Sequence, residues 1–202
     1  MTLEIRDCTF RDLHLVVRIH EKAFGGFFMS QLGSDFLFRY YKTIYCYDKP
    51  LFKVATLESN IIGFAAGFVS PADFYRFLSS NKLYVGLGAL KGLLKNPSLL
   101  LPGIRNWFRV RENSASKLDF RYAELASIAV HPKHANSGVG SQLLSSFLTE
   151  AKKSGVQFVI LTTDAENNDK VNAFYLKNGF KIRRKFYSRP GRLMNEYVKQ
   201  LS

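Results

Sequence analysis

Apolar residues in the first 70 positions alternate between the spacing of strands and the spacing of helices. A short apolar run at 3–8 predicts a first strand. Apolar positions three and four residues apart predict helices over 11–24 and 34–46. Two longer runs, 51–57 and 61–69, flank Glu-Ser-Asn and predict an antiparallel hairpin. The N-terminal part is therefore expected to form a strand, two helices and a hairpin, in that order.

The C-terminal part follows the same two periods in a regular order. An apolar run at 118–130 predicts a long strand, and a helical pattern follows at 138–153. A buried strand is expected at 156–163 and a short helix at 168–179. Two last runs on either side of Arg-Pro-Gly predict a second hairpin. This part should therefore read strand, helix, strand, helix and two strands.

Residues 71–117 interrupt this order with a segment that is apolar, aromatic and basic at once. Its glycines and prolines predict short helices that are broken at Gly86, Gly88, Pro97 and Pro102. Such a segment suits the core, a substrate lid, or a surface that faces lipid or a partner. Of these, core and lid are the favoured pair.

The order of elements predicts an α+β fold, a mixed α/β sandwich in which helices cover a mixed central sheet. The chain has 202 residues, 47% of them hydrophobic, so it can bury one substantial core, and global disorder is excluded. We therefore expect a single domain over 1–202, with an insertion at about 71–117.

The charge of the chain limits the class of partner. There are 29 Lys and Arg residues against 16 Asp and Glu, and the net charge of +13 favours an anionic partner. Much of this charge lies within 81–117 and 177–199. Charge alone would admit RNA, but no recognised RNA-binding motif accompanies it, so nucleic acid is not the favoured partner.

Several features together predict a cytoplasmic protein. Cys8 and Cys46 are the only cysteines, and they form neither a CxxC pair nor a disulfide framework. The N-terminal stretch carries charges throughout and lacks the apolar core of a signal peptide. No apolar run is long enough to span a membrane.

Two glycines, Gly138 and Gly140, lie between the run that ends at Val130 and the helical pattern that follows. The first N–H groups of a helix lack internal partners and carry partial positive charge. Glycines there let a phosphate come close to the backbone. No Gly-Lys-Ser/Thr follows, which excludes a P-loop. The pattern predicts an anion site, and a purely structural turn explains the two glycines about as often.

The residues around this loop resemble motif A of the GNAT family of acyl-CoA N-acyltransferases. Val130-His131-Pro132 is similar to the strand end of that motif, and Gly138-Val139-Gly140 is similar to the end of its Q/R-x-x-G-x-G/A loop. The usual Gln or Arg at the head of the loop is Ala135 in this chain. This replacement removes a side chain that helps to shape the loop, and it leaves the backbone N–H groups in place.

A second stretch, after the helix, resembles motif B of the same family, N-x-x-A-x-x-x-Y-x-x-x-G-F. The residues that match it are Asn168, Tyr175, Gly179 and Phe180, and Val171 replaces the usual alanine. The two motifs occur in the expected order. The resemblance is good over 118–200, plausible by layout over 1–70, and absent from the insertion.

The resemblance implies a GNAT-type fold and an acetyl-CoA-dependent N-acetyltransferase that transfers the acetyl group directly to a primary amine, with no metal. In the family, backbone amides of the glycine loop hold the pyrophosphate, and the pantetheine arm pairs like a strand with the preceding strand end. Carried over to this chain, the cofactor-binding residues are Ile128, Ala129, Val130, Asn136, Ser137, Gly138, Val139, Gly140, Ser141, Asn168 and Tyr175.

The resemblance also implies two catalytic roles. Tyr175 stands where the family places a phenol that protonates the leaving thiolate. Glu124 lies six residues before Val130, the spacing of the base glutamate in histone-type members. The alternative for Tyr175 is packing in the core, and the alternative for Glu124 is an ion pair on an exposed strand. Asn168 would bind the cofactor, cap its helix, or do both.

The acceptor amine is less constrained. Aromatic residues suit a walled pocket for a small-molecule amine such as an amino sugar, among them Tyr40, Tyr41, Tyr75, Tyr84 and Trp107. The alternatives are acetylation of a protein amine or an aminoacyl-tRNA, and a non-catalytic CoA-binding module. Exposed apolar residues within 83–110 could pair subunits into a homodimer. His131 and His134 flank a proline with no nearby cysteine, so a metal site is not expected.

Overall fold

The computed structural model describes residues 2–96, 121–188 and 191–201. In these ranges seven strands form one sheet: β1 (Leu3–Asp7), β2 (Pro50–Leu57), β3 (Asn60–Val69), β4 (Tyr122–Val130), β5 (Phe158–Asp164), β6 (Lys181–Tyr187) and β7 (Leu193–Gln200). The helices of the same ranges are α1 (Leu13–Ala23), α2 (Phe28–Gln31), α3 (Ser34–Tyr45), α4 (Pro71–Ser80), α5 (Lys82–Leu87), α6 (Leu90–Lys95), α7 (Val139–Lys153) and α8 (Asp169–Lys177).

The seven described strands have the order β1-β2-β3-β4-β5-β7-β6, and among them only β4 and β5 pair in parallel. The predicted mixed sheet with covering helices is confirmed, and so are both hairpins. The last strand, β7, lies between β5 and β6, which leaves the basic strand β6 at the edge. Lysine and arginine are common on edge strands because their charge opposes pairing with another chain.

Two hydrophobic clusters, one on each face of the sheet, form the core. On one face, α1, α3 and α4 pack on β2 and β3, with Phe36, Tyr41 and Phe64 among the buried residues. On the other face, α7 and α8 cover the central strands. Tyr40 and Tyr41, which the sequence suggested as walls of a pocket, are 1% and 0% exposed and belong to this core.

The described part of the insertion forms three short helices, as its glycines and prolines predict. The predicted break at Gly88 is confirmed, since α5 ends there, whereas the predicted break at Gly86 is wrong, because Gly86 lies within α5. The predicted breaks at Pro97 and Pro102, and the aromatic Trp107, lie outside the described residues. In the described ranges, no helix has both the length and the apolar character that crossing a membrane requires.

Candidate active site

The parallel strands β4 and β5 pair for only three residues and then separate. Their register joins Tyr122–Glu124 to Phe158–Ile160. Strand β4 continues to pair with β3 as far as Val130, across an irregularity opposite Ala66 and Gly67. Within the described residues, the β5-facing side of β4 beyond Glu124 therefore borders a gap in the sheet.

The hydrogen-bonding alternation of β4 determines which backbone groups face this gap. The His131 N–H donates to the Ile62 carbonyl at 2.7 Å, so His131 belongs to the residues that bond to β3. In an antiparallel pair, successive residues turn their N–H and C=O groups to opposite sides. Val130 and Ile128 therefore direct theirs into the gap, and Ala129 directs its own toward β3. The predicted residues Ile128 and Val130 are thus the ones placed to bond an extended ligand through the backbone.

The glycine loop ends at the start of α7 in a backbone conformation that favours glycine. Gly138 has φ +82°, and Asn136, two residues earlier, has φ +61°. The first helical bond runs from the Gln142 N–H to the Gly138 carbonyl at 3.2 Å. The amides of Val139, Gly140 and Ser141 precede it and lack acceptors within the helix. The loop is exposed, so these predicted residues can bind an anion from solvent.

The rim of this loop is positively charged. Lys22 Nζ lies 3.1 Å from His131 Nε2, and the Lys133 N–H donates to His131 Nδ1 at 3.2 Å. Partial desolvation and the neighbouring Lys22 lower the pKa of His131 below its ordinary value. The Ser137 hydroxyl donates to the His134 carbonyl at 2.6 Å, which braces the loop from within. Lysines thus supply basic charge near a loop whose first position is Ala135.

Three elements converge at Gly140. A Cβ added there would lie 3.6 Å from Phe174 Cε2 and 3.8 Å from Val130 Cγ2. These are ordinary contact distances, so the site tolerates a glycine or an alanine, as the motif of this loop allows. The end of β4, the start of α7 and the middle of α8 therefore meet where the gap opens.

Tyr175 follows Phe174 on α8, and its side chain points into the core. It is 6% exposed, and its ring centroid lies 5.7 Å from that of Phe180 and 5.6 Å from that of Tyr197. Burial raises the pKa of the Tyr175 phenol, and the nearby Tyr197 adds to the effect. The phenol therefore keeps its proton at neutral pH, as a general acid must. Core packing and the acid role remain compatible.

Asn168 occupies the predicted N-terminal position of α8, but its side chain does not cap the helix. Its amide donates to Thr163 Oγ1 at 2.8 Å and to the Asp164 carbonyl at 3.2 Å. The predicted capping role is therefore wrong, because this amide fastens α8 to the end of β5. Its role toward the cofactor stays a prediction.

Asn172 is a second polar contact that the sequence reasoning missed. Its amide donates to the Asp164 carbonyl at 3.1 Å, and its Oδ1 accepts the Tyr197 hydroxyl at 2.9 Å. Asn172 of α8 thus links this helix to β5 and β7 through its side chain. The available signal was a short polar side chain inside a helix, a position that Asn seldom favours without a partner.

Glu124 is the last residue of β4 that pairs with β5, and it lies on the opposite face of the sheet from Tyr175. Its cross-strand partner, Phe68, belongs to the cluster under α3 and α4, whereas Tyr175 belongs to the cluster under α7. The Tyr75 hydroxyl donates to Glu124 Oε1 at 2.7 Å. The predicted base and acid therefore lie on opposite faces of the sheet. Nothing in the sequence pattern identifies Tyr75 as the partner of Glu124.

A polar and aromatic bridge joins three segments near the end of β5. Arg192 donates to Asp164 Oδ1 at 2.9 Å, and its guanidinium lies 5.7 Å from the ring centroid of Phe27. Phe27 precedes α2 and is 45% exposed, and Arg192 precedes β7. The contact brings the chain after α1 and the chain before β7 together at one end of the gap.

Across the part of the chain that the structure describes, no three His, Cys, Asp or Glu side chains are grouped as metal ligands. His131 and His134 have ring centroids 6.1 Å apart, and His131 Nδ1 is engaged by the backbone of Lys133.

Comparisons with known proteins agree with this geometry. The sequence profile of the Acetyltransferase (GNAT) family matches residues 15–180, more than half of the chain. No curated protein matches the sequence. Among solved structures, the fold is similar to that of a GNAT-family acetyltransferase from Desulfovibrio desulfuricans, with a TM-score of 0.67, 16% identity and 100% of both chains covered.

Two further solved structures have the same fold. The ribosomal-protein-S18-alanine N-acetyltransferase of Escherichia coli has a TM-score of 0.63 and 17% identity, with 100% of this chain and 95% of that chain covered. An acetyltransferase from Salmonella typhimurium, solved with its cofactor acetyl-CoA, has a TM-score of 0.61 and 16% identity over the same shares. The predicted GNAT-type fold is confirmed.

Proposed function

We propose, from the premise that this chain belongs to the acetyltransferase (GNAT) family, that it transfers an acetyl group from acetyl-CoA to the primary amine of a small molecule, such as an amino sugar. The observation that carries the proposal is the separation of β4 from β5 beyond Glu124, with the glycine loop at the end of the same strand. This arrangement places an anion site at the end of a strand edge whose backbone groups do not pair with β5.

The cofactor would lie along this line. Its pyrophosphate would accept hydrogen bonds from the amides of Val139, Gly140 and Ser141 at the start of α7, where the helix dipole also favours negative charge. The amide-containing pantetheine arm would pair with the backbone of Ile128 and Val130, as an added strand does. The thioester would then reach the middle of the gap, between Glu124 and Tyr175.

The reaction would proceed by direct attack of the amine nitrogen on the thioester carbonyl carbon. Glu124, directly or through a water, takes the proton that the amine must lose, because most free amines are protonated at neutral pH. The Val130 N–H faces the gap and would stabilise the developing oxyanion. As the C–S bond breaks, the Tyr175 phenol gives its proton to the sulfur. The products are an acetylated amine and free CoA.

The acceptor would enter from the face of the sheet that carries Glu124. Tyr75 holds the carboxylate from the insertion side, and the Phe27–Arg192 contact closes one end of the gap. An aromatic wall with a guanidinium beside it suits the hydroxyls and any phosphate of an amino sugar or its nucleotide derivative. This chemistry favours a small anionic or polar acceptor.

Acetylation of a protein amine is the second candidate. The similar fold from Escherichia coli carries the name of an enzyme that acts on the alanine of ribosomal protein S18, and the net charge of +13 suits an acidic partner or an aminoacyl-tRNA. A non-catalytic CoA-binding module is disfavoured, because the chain retains both Glu124 and Tyr175, the residues suited to act as base and acid.

The test is the release of thiol from acetyl-CoA with a panel of acceptors: amino sugars, nucleotide-linked amino sugars, polyamines, peptides and aminoacyl-tRNA. We expect release with an amino-sugar class, and its loss in Glu124→Gln. Release with peptides or aminoacyl-tRNA alone would replace the acceptor class and keep the enzyme. No release with any acceptor, although acetyl-CoA raises the melting temperature, would favour the binding module.

A further inference from the structure

Helices α5 and α6 pack on the rest of the protein through small residues. Val85, Gly88, Ala89 and Gly92 face inward and are buried. A Cβ on Gly88 would lie 2.8 Å from the Phe36 Cα, and one on Gly92 would lie 2.4 Å from the Leu32 carbonyl oxygen. The two helices therefore lie very close to α3 and the turn before it at these two glycines, and Tyr84 and Leu93 pack partly buried beside them.

Four leucines of these helices point outward instead. Leu83, Leu87, Leu90 and Leu94, the leucine face, are 78%, 58%, 53% and 82% exposed. The connecting residues Gly88 and Ala89 keep helical backbone angles, so the spacing of four, three and four residues holds these leucines on one side. An apolar stripe that is this exposed indicates a surface that meets an apolar environment.

The charges around the leucine face have one sign. Residues 81–96 contain Lys82, Lys91 and Lys95 and no Asp or Glu. All three lysines are exposed, and Lys91 Nζ lies 3.2 Å from Asp35 Oδ2 in an ion pair whose two side chains are 83% and 58% exposed. Because both side chains of that pair are exposed to solvent, the pair is weak and leaves Lys91 able to contact another anion. The leucine face is thus an apolar stripe bordered by cationic side chains.

We propose that the leucine face binds the surface of an anionic lipid bilayer. The leucines would enter the boundary between headgroups and acyl chains, and the lysines would meet the lipid phosphates, as in interfacial amphipathic helices. A second copy of this chain is a poorer partner, because pairing two such faces would bring six lysines together, and Asp35 already pairs with Lys91 of its own chain. The proposal is independent of the proposed reaction, since it needs neither acetyl-CoA nor an acceptor.

The surface also has a route to the candidate site. Helix α4 precedes α5 directly and supplies Tyr75, which bonds Glu124. A bilayer that bound α5 and α6 would therefore hold the segment that follows directly after the helix of Tyr75. The lipid-binding test below is made without substrates, so its outcome does not depend on that connection.

The test is co-sedimentation of the full chain with vesicles of phosphatidylcholine that contain 30% or no phosphatidylglycerol, a composition of about the acidity of bacterial and cytoplasmic leaflets. We expect binding to the anionic vesicles that weakens as salt rises, because screening acts on the lysines. Leu83→Gln with Leu94→Gln should lower the partition coefficient about tenfold or more. Lys82→Gln, Lys91→Gln and Lys95→Gln together should lower it about fivefold for each lysine.

Matched control variants distinguish binding by the leucine face from non-specific electrostatic and hydrophobic attraction to vesicles. Leu15→Gln removes an exposed leucine of α1, and Lys170→Gln with Lys181→Gln and Lys185→Gln removes three exposed lysines of α8 and β6. Both controls should bind vesicles as the parent chain does. Equal losses in the test and control variants would overturn the proposal in favour of non-specific attraction.

A second measurement covers the case in which the leucine variants fold poorly. A polarity-sensitive fluorophore on Leu94→Cys, in a Cys46→Ser background, should shift to shorter wavelength when anionic vesicles are added. Absence of this shift, or of any binding of the parent chain to anionic vesicles, would overturn the proposal. A leucine-dependent dimer in solution with no vesicle binding would overturn it as well and assign the face to a second copy.

Discussion

The Tyr75 hydroxyl donates a hydrogen bond to Glu124 Oε1 at 2.7 Å, and this bond joins the insertion to the last residue of β4 that pairs with β5. Tyr75 is 2% exposed, so its ring is fixed by packing. The carboxylate of Glu124 is therefore held in one orientation at the point where the two parallel strands separate. A proton acceptor fixed at this position can serve an amine that approaches the gap.

Replacement of Glu124 tests the base directly. Glu124→Gln keeps the size of the side chain and its bond to Tyr75 but removes the proton acceptor. We expect kcat/KM to fall about a hundredfold. Turnover that is unchanged at every pH would remove Glu124 from the mechanism.

Replacement of Tyr75 tests the orientation of that base. Tyr75→Phe removes one hydroxyl from a buried ring and should lower kcat about tenfold, because a hydrogen bond to a charged group is lost. The KM for acetyl-CoA should change little, since the cofactor contacts lie on β4 and α7. A large rise in this KM with an unchanged kcat would assign Tyr75 to cofactor binding instead.

Tyr175→Phe distinguishes the acid from a packing residue. Both side chains fill the same space among Phe174, Phe180 and Tyr197, so acetyl-CoA binding measured by calorimetry should persist. Turnover should fall about a hundredfold with acetyl-CoA. An acetyl thioester of a more acidic thiol should restore much of it, because that leaving group needs no proton. Full turnover of Tyr175→Phe with acetyl-CoA would leave only the packing role.

A matched pair of glycines tests the anion site. Gly138 and Gly155 have φ +82° and +74°, and neither would place a Cβ within 4 Å of another group. Alanine at either position should therefore cost about 1 kcal/mol of folding free energy. Only Gly138→Ala should also weaken acetyl-CoA binding, because Gly155 follows the far end of α7. Equal affinities in the two variants would argue against a phosphate at the start of that helix.

His20 predicts how stability depends on pH. It is 4% exposed, its Nδ1 lies 2.6 Å from the Tyr41 hydroxyl oxygen, and burial lowers its pKa to about 4. The unfolded chain, with an ordinary imidazole, binds a proton between pH 6.5 and 4 that the folded chain does not. The free energy of unfolding should therefore be highest above pH 6.5 and fall as the pH is lowered. The expected loss between pH 7 and pH 5 is about 2 kcal/mol.

Denaturant unfolding at pH 7, 6 and 5 measures this decline. His20→Gln should flatten it, because glutamine does not titrate. His14→Gln is the control, since His14 lies on the exposed side of the same helix and stacks on Phe38. A decline that survives in His20→Gln at full size would assign the pH dependence to other groups.

Local patterns in the sequence predicted most of the elements. Apolar spacing predicted the ends of α3 and α7 to within a residue or two. Gly179, with φ +80°, lies just after the end of α8, where it was predicted to stop the helix. The glycine loop was predictable because the φ of Gly138 and the unpaired amides after it depend on neighbouring residues alone. These features need no knowledge of the rest of the fold.

Features that depend on contacts across the fold could not be predicted in the same way. The separation of β4 from β5 follows from how both strands pair with their other neighbours, and the position of β7 between β5 and β6 is likewise a matter of pairing. The bond from Tyr75 to Glu124 joins residues 49 positions apart. The local sequence predicts that Asn168 caps α8, because the nearest backbone groups are those of the helix start. Its partners in the structure, Thr163 and Asp164, lie at the end of β5.

Amide hydrogen exchange with and without saturating acetyl-CoA tests the central claim most directly. Cofactor in the gap should slow exchange at Ile128 and Val130 and at Gly140 and Ser141, because these amides gain acceptors. Exchange in the edge strand β6 should not change. Saturable binding with no added protection along β4 and at the start of α7, or with protection confined to other segments, would contradict the account.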